Sequence, residues 1–198
     1  MNHTDTIIMK KLLLTLLLIM GISQSYAQKK QRILTPGVRG GWNFSSVVNS
    51  GGDSRTNVYV GVQLPIRLAK FYSLQPELVY SRQGADNIVD RIYYENGHGR
   101  SVDLKMGYID INVINKFHFG RLNLQVGPGI AIQAHNNVSE MTPVDLTINL
   151  GVGIDITKRI GIEARWMPGL IGINDYYYDS DNGEMRNNIL QVGAYFRF

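Results

Sequence analysis

From Val144 to Thr157 apolar and polar residues alternate without a break. Val144, Leu146, Ile148, Leu150, Val152, Ile154 and Ile156 are separated by Asp145, Thr147, Asn149, Gly151, Gly153, Asp155 and Thr157. A period of two puts each set on its own face of an extended strand. The rhythm returns in Val58, Val60, Val62, Leu64, Ile66 and Leu68, which alternate with Tyr59, Gly61, Gln63, Pro65 and Arg67. It returns again over 122–133 and 190–198, and more weakly over 34–46, 73–84, 106–117 and 160–172. The pattern predicts eight strands. At roughly 10–14 residues each exceeds the common globular strand and can cross an outer membrane when tilted.

The connections have a rhythm of their own. Those at 69–72, 118–120 and 158–159 are short, whereas 47–57, 85–105, 135–143 and 173–188 are long and polar. Short turns at one end and long loops at the other predict an eight-stranded antiparallel up-and-down barrel. An even strand number then places both termini on the short-turn, periplasmic side.

Composition changes the picture in three ways. Among 198 residues there is no cysteine, which excludes a disulfide framework, a thiolate metal site and a cysteine nucleophile. The net charge of +4 is small and dispersed, which argues against a nucleic-acid partner. The mean hydropathy of −0.11 resembles a soluble protein, yet the alternation resolves that average into an apolar face and a polar one. At the N-terminus, Met9-Lys10-Lys11 precedes the apolar run Leu12–Ile22, and Ser23-Gln24-Ser25-Tyr26-Ala27 follows. That is the layout of a secretory signal peptide over 1–27, with translation starting at Met1 or Met9. The mature chain is then a single barrel domain, 28–198. No later run is apolar for long enough to make a transmembrane helix.

Alternation alone leaves two barrels open: a soluble lipocalin-like one with the apolar face inside, and a membrane barrel with that face outside. The polar face is rich in Gly, Asn, Gln and Thr and carries few charges, unlike a water-facing surface. Aromatic residues collect near strand ends: Trp42, Phe44 and Tyr80 toward the long loops, and Phe71, Tyr72, Phe117, Phe196 and Phe198 toward the short turns. This is the distribution of interfacial girdles. Both features favour apolar-out. The interior then receives Arg39, Arg67, Glu77, Asp110, Lys116, Asp155, Glu163, Arg165 and Arg197. Isolated charges in a narrow lumen are costly, so they are expected to pair and to plug it. A proton or ion pathway is the competing use of the same charges.

Several segments resemble the PorT-like, OmpX-like outer-membrane β-barrel family of Bacteroidota. They are Tyr80-Ser81-Arg82-Gln83-Gly84-Ala85, Tyr108-Ile109-Asp110-Ile111-Asn112, Gly127-Pro128-Gly129, Leu150-Gly151-Val152-Gly153-Ile154-Asp155 and the closing Gln191-Val192-Gly193-Ala194-Tyr195-Phe196-Arg197-Phe198. The resemblance spans roughly the whole mature chain. It implies integral insertion among outer-membrane lipid and lipopolysaccharide by the barrel assembly machinery, with Phe198 as the recognition signal. Some members of the family are linked to protein secretion, so an extracellular or secretion-system partner is implied as a class.

Candidate chemistry is sparse. His98-Gly99-Arg100-Ser101-Val102-Asp103 contains a base, a nucleophile and an acid, the ingredients of a lipid-modifying enzyme. Asp175, Asp179, Asp181 and Glu184 could offer oxygen ligands to calcium, but their spacing departs from a calcium loop. No phosphate loop, dinucleotide fingerprint or metal-ligand spacing is present. The expectation is a barrel without catalysis, metal or cofactor, working through its long loops. A small-solute channel and a lipid-modifying enzyme are the alternatives.

Overall fold

The computed structural model describes residues 33–90, 100–137, 142–172 and 185–198. The proposed signal peptide, His98 and the segment 175–184 lie outside them. Residues Thr35–Phe198 form one compact unit. Its strands are β1 (Gly37–Val48), β2 (Asp53–Gln63), β3 (Ile66–Ala69), β4 (Tyr72–Asp90), β5 (Arg100–Phe119), β6 (Leu122–Asn136), β7 (Val144–Asp155), β8 (Ile160–Pro168) and β9 (Arg186–Arg197).

Apart from β2 and β3, consecutive strands pair antiparallel, and β1 pairs with β9 from Gly37↔Arg197 to Val48↔Arg186, which closes the sheet. β2 and β3 are two pieces of one barrel strand, both paired with β4. Pro65 has no N–H to give the ladder and interrupts it. The break stays anchored because Leu64 N donates to Pro76 O and Thr35 N donates to Pro65 O. The result is a closed eight-stranded antiparallel barrel. No helix among the described residues is long and apolar enough to cross a membrane.

Two glycines have a geometric task. Gly120 turns the chain between β5 and β6 at φ 65°, the left-handed region. Gly41 sits at the closing seam, where a Cβ would run into Val192 O and the Gly193 backbone.

The faces separate by polarity. Trp42 is 60% exposed and its neighbour Asn43 is 0% exposed. Val58, Val60, Leu124, Ile148, Leu150 and Val192 all point outward, whereas Gln63, Gln75, Gln125 and Asn149 are buried inside. An apolar exterior around a polar interior is the arrangement of a barrel in lipid.

Some strand limits differ from expectation. β4 and β5 run well past 84 and begin well before 106, pairing as far as Ile88↔Val102 and Asp90↔Arg100. The register slips between Ala85 and Ile88, where Asn87 has φ 54°. That slip breaks the period of two, so no clean alternation marks these residues as strand. The first long loop likewise shrinks to Asn49–Gly52.

Candidate functional site

The inward side chains form layers along the lumen. Midway, Arg39 on β1 pairs with Glu77 on β4 and, at 2.7 Å, with Glu163 on β8. Arg165 on β8 pairs with Glu77 at 2.6 Å and with Glu163 at 3.7 Å. All four side chains are essentially without solvent contact. Period-two geometry brings each one inward, and barrel closure brings the three strands face to face. Amides complete the quartet. Gln75 donates to Glu77 at 2.7 Å, Gln125 donates to Glu163 at 3.1 Å, and Arg165 donates to Gln125 at 2.6 Å. Arg39 also donates to Gln191 at 3.2 Å and lies over the Tyr59 ring. Two positive and two negative charges balance, which is what makes their burial tolerable.

Toward the short turns, Tyr195 organises a second layer. Its hydroxyl donates to Asp155, which pairs with Arg197 at 2.7 Å. Lys116 lies 4.6 Å above the Tyr195 ring, a cation–π contact that partly replaces lost hydration. Nearby, Ser73 Oγ and His118 Nε2 are 3.0 Å apart.

Toward the long loops the lumen changes character. Asn43 donates to Ser81 Oγ and to Arg82 O, both at 2.8 Å. Asp110 is buried at this height. Asp145 accepts from Asn187 at 3.2 Å and from the Ile171 N–H at 3.2 Å. Above them Val47, Ala85, Leu104, Met106, Tyr108 and Ala131 form an apolar cluster packed against Ile88 and Met185. This cluster was not legible in the sequence. Leu104, Met106 and Tyr108 share β5 with the outward Ile109, Ile111 and Val113. With apolar residues on both faces, the phase of that strand is obscured.

Of the nine charges expected inside, Arg39, Glu77, Glu163 and Arg165 meet in the quartet. Asp155 and Arg197 pair apart from it, and Lys116 and Asp110 stand on opposite sides of it. Arg67 keeps the inward register opposite the buried Ser73 but is exposed at the turn end of β3, where it donates to Ala69 O at 3.1 Å and to Lys70 O. The break at Pro65 leaves β3 at the turn end, where a charge reaches water whichever way it points.

Of the girdle aromatics, Trp42, Phe44, Tyr80, Phe196 and Phe198 are exposed on the outer surface. Tyr72 and Phe117 face each other across β4 and β5 with ring centroids 5.4 Å apart. Trp166, missed by the sequence reading, shares an outward row with Leu190 and Phe44 and donates to Asn188 at 2.6 Å.

Of the His98–Ser101–Asp103 candidate, His98 lies outside the described residues. Asp103 lies 3.8 Å from Arg55, which also pairs with Asp86. The Ser73–His118 contact has no carboxylate bonded to the imidazole among the described residues, so the orienting acid of a triad is missing there. No cluster of three or more His, Cys, Asp or Glu suited to a metal occurs among them.

Comparison with known proteins follows the same lines. Neisserial surface protein A matches with a TM-score of 0.52 at 15% identity, over 83% of this chain and 97% of that one. Two structures of Ail from Yersinia pestis also match. One, in complex with the heparin analogue sucrose octasulfate, has a TM-score of 0.47 at 12% identity, covering 83% of this chain and 99% of Ail. The other has a TM-score of 0.48 at 13% identity, covering 83% and 98%. No curated protein matches the sequence. The family described as outer membrane protein beta-barrel domain matches residues 26–175, most of the chain. With its apolar exterior, polar lumen and closed eight-stranded sheet, this chain belongs to the outer membrane protein beta-barrel domain family.

Proposed function

We propose that this protein is an integral outer-membrane barrel with a sealed lumen, which acts through contacts made by its long loops and not by transport or catalysis. The observation that carries the reading is the quartet Arg39–Glu77–Arg165–Glu163, which ties β1, β4 and β8 together across the lumen with all four side chains buried. The apolar cluster at the long-loop end adds a second obstruction that water does not readily wet. An eight-stranded barrel has an interior that side chains can fill.

In this reading both termini face the periplasm and the long loops face outward among lipopolysaccharide. The paired ribbon of β4 and β5 extends the scaffold on that side, and loops on a rigid scaffold are where recognition usually resides. The partner class is an extracellular or secretion-system protein, in keeping with the PorT-like resemblance. Phe198, exposed and stacked edge-on against Phe196 at 5.6 Å, is the residue offered to the assembly machinery.

Single-channel recording in planar bilayers tests the sealed lumen. The expected trace shows no steady conductance above the bare membrane. Reproducible nanosiemens steps from the purified barrel would establish the channel reading instead.

A further inference from the structure

The quartet is neutral by itself, which leaves Asp110 without a compensating charge. Asp110 is 1% exposed and has no cationic partner within hydrogen-bonding distance among the described residues; the Ser81 hydroxyl is the donor that faces it. Lys116, the other inward charge on β5, lies six residues away on the far side of the quartet, about 20 Å along an extended strand. At that range the attraction is weak. Arg39 and Glu77 act on Asp110 from the quartet with opposite signs, and Asp145 acts on it from the long-loop side.

The neighbouring amides repeat the pattern. Asn43 spends its amide N–H groups on Ser81 and Arg82, and its Oδ1 is buried with no donor. Asn149 donates to Asn112 at 3.2 Å, and its Oδ1 is likewise buried with no donor. Ser81, which accepts from Asn43, lies diagonal to Asp110 across the β4–β5 pair. Asn112, which accepts from Asn149, is two residues from Asp110 on the same face of β5. Thr147 stands beside Asn112 and Asn149 over Gly129. This stretch of lumen therefore gathers more acceptor oxygens than donors, the Ser81 hydroxyl being the donor that faces Asp110.

From the placement of the Asp110 carboxylate beside Ser81, the partner of Asn43, and two residues along β5 from Asn112, the partner of Asn149, with the oxygens of both amides donorless, we infer that the lumen binds a dehydrated alkali-metal cation. Carboxylate, amide carbonyl and hydroxyl oxygens are the ligands a hard cation selects. One carboxylate balances one positive charge, whereas a divalent ion would leave an uncompensated charge in the buried site. A cation that binds only the folded barrel stabilises it as RT ln(1 + c/Kd) at cation concentration c.

The test uses the full-length folded barrel in detergent. The urea midpoint for loss of the folded, fast-migrating gel band is measured in sodium, potassium or choline chloride at equal ionic strength. The expected result is a midpoint that rises with the logarithm of sodium or potassium concentration above the dissociation constant, relative to choline. Asp110→Asn, which preserves volume, abolishes that difference, and Asn43→Ala weakens the apparent affinity several-fold. A midpoint that is the same in all three salts overturns the proposal, as does one raised only by calcium chloride or one equally cation-dependent in Asp110→Asn. Sodium-23 NMR of the wild-type barrel covers the case in which Asp110→Asn does not fold. Line broadening displaced by potassium supports the site, and its absence overturns it. An infrared band of a protonated carboxyl that is insensitive to sodium would also overturn it, because Asp110 would then carry a proton in the cation's place.

Discussion

Replacing Glu77 by Gln is expected to destabilise the barrel by about 3–5 kcal/mol, the cost of breaking a buried ion pair from one side. Glu77 accepts from both Arg39 and Arg165. Neutralising it leaves two guanidinium groups sharing Glu163 alone. The sharper expectation concerns the double variant. Glu77→Gln with Arg165→Gln removes one charge of each sign and leaves Arg39 paired with Glu163 at 2.7 Å. The double variant is therefore expected to be more stable than Glu77→Gln alone, a non-additivity that urea unfolding of all three proteins reads directly. If the two substitutions simply add, the quartet is not the coupled unit described.

The second large effect lies on the other face. Ile148 sits midway along the outward row of β7 and is exposed. Ile148→Arg is expected to cost about 2–4 kcal/mol in a lipid bilayer, as arginine does at the midplane of a membrane barrel. Ile156, also exposed, lies at the turn after β7. There the same substitution should cost about 0–1 kcal/mol, because the guanidinium reaches the interface. The depth dependence is the informative part, since a barrel surrounded by water would accept arginine at both positions at similar cost. Reversible unfolding from vesicles measures both variants.

The parts of this fold legible in the sequence are those where one face meets hydrocarbon and the other does not. β7 was readable almost residue by residue because each outward position is a large aliphatic and each inward one is polar or glycine. β5 was not, because Leu104, Met106 and Tyr108 fill the lumen while Ile109, Ile111 and Val113 meet the exterior. Where both faces are apolar, a period of two has no contrast to show. The outer ends of β4 and β5 were hidden for a different reason: the register slip between Ala85 and Ile88 breaks the period of two there.

The lumen was legible as a list of residues but not as pairs. The residues expected inside included Arg39, Glu77, Glu163 and Arg165. Yet Arg39 and Glu163 are 124 positions apart, and their meeting depends on barrel closure and the stagger of strands, which no local pattern encodes. Arg67 keeps the inward register opposite the buried Ser73, but it lies so close to the turn that water reaches it, a matter of depth that parity does not encode. The donorless oxygens of Asn43 and Asn149, and an Asp110 without a cationic partner, could not be foreseen either, because hydrogen-bond satisfaction is a property of the closed interior and not of any strand alone.

The central claim, that the apolar face is the outer one and meets lipid, can be read without any substitution. The chain has two tryptophans, and both stand on that face: Trp42 is 60% exposed and Trp166 is 47% exposed. With the barrel reconstituted in vesicles of acyl-chain-brominated lipid, tryptophan fluorescence is predicted to be strongly quenched and nearly insensitive to aqueous iodide. Efficient quenching by iodide, with no effect of the brominated chains, would contradict the account.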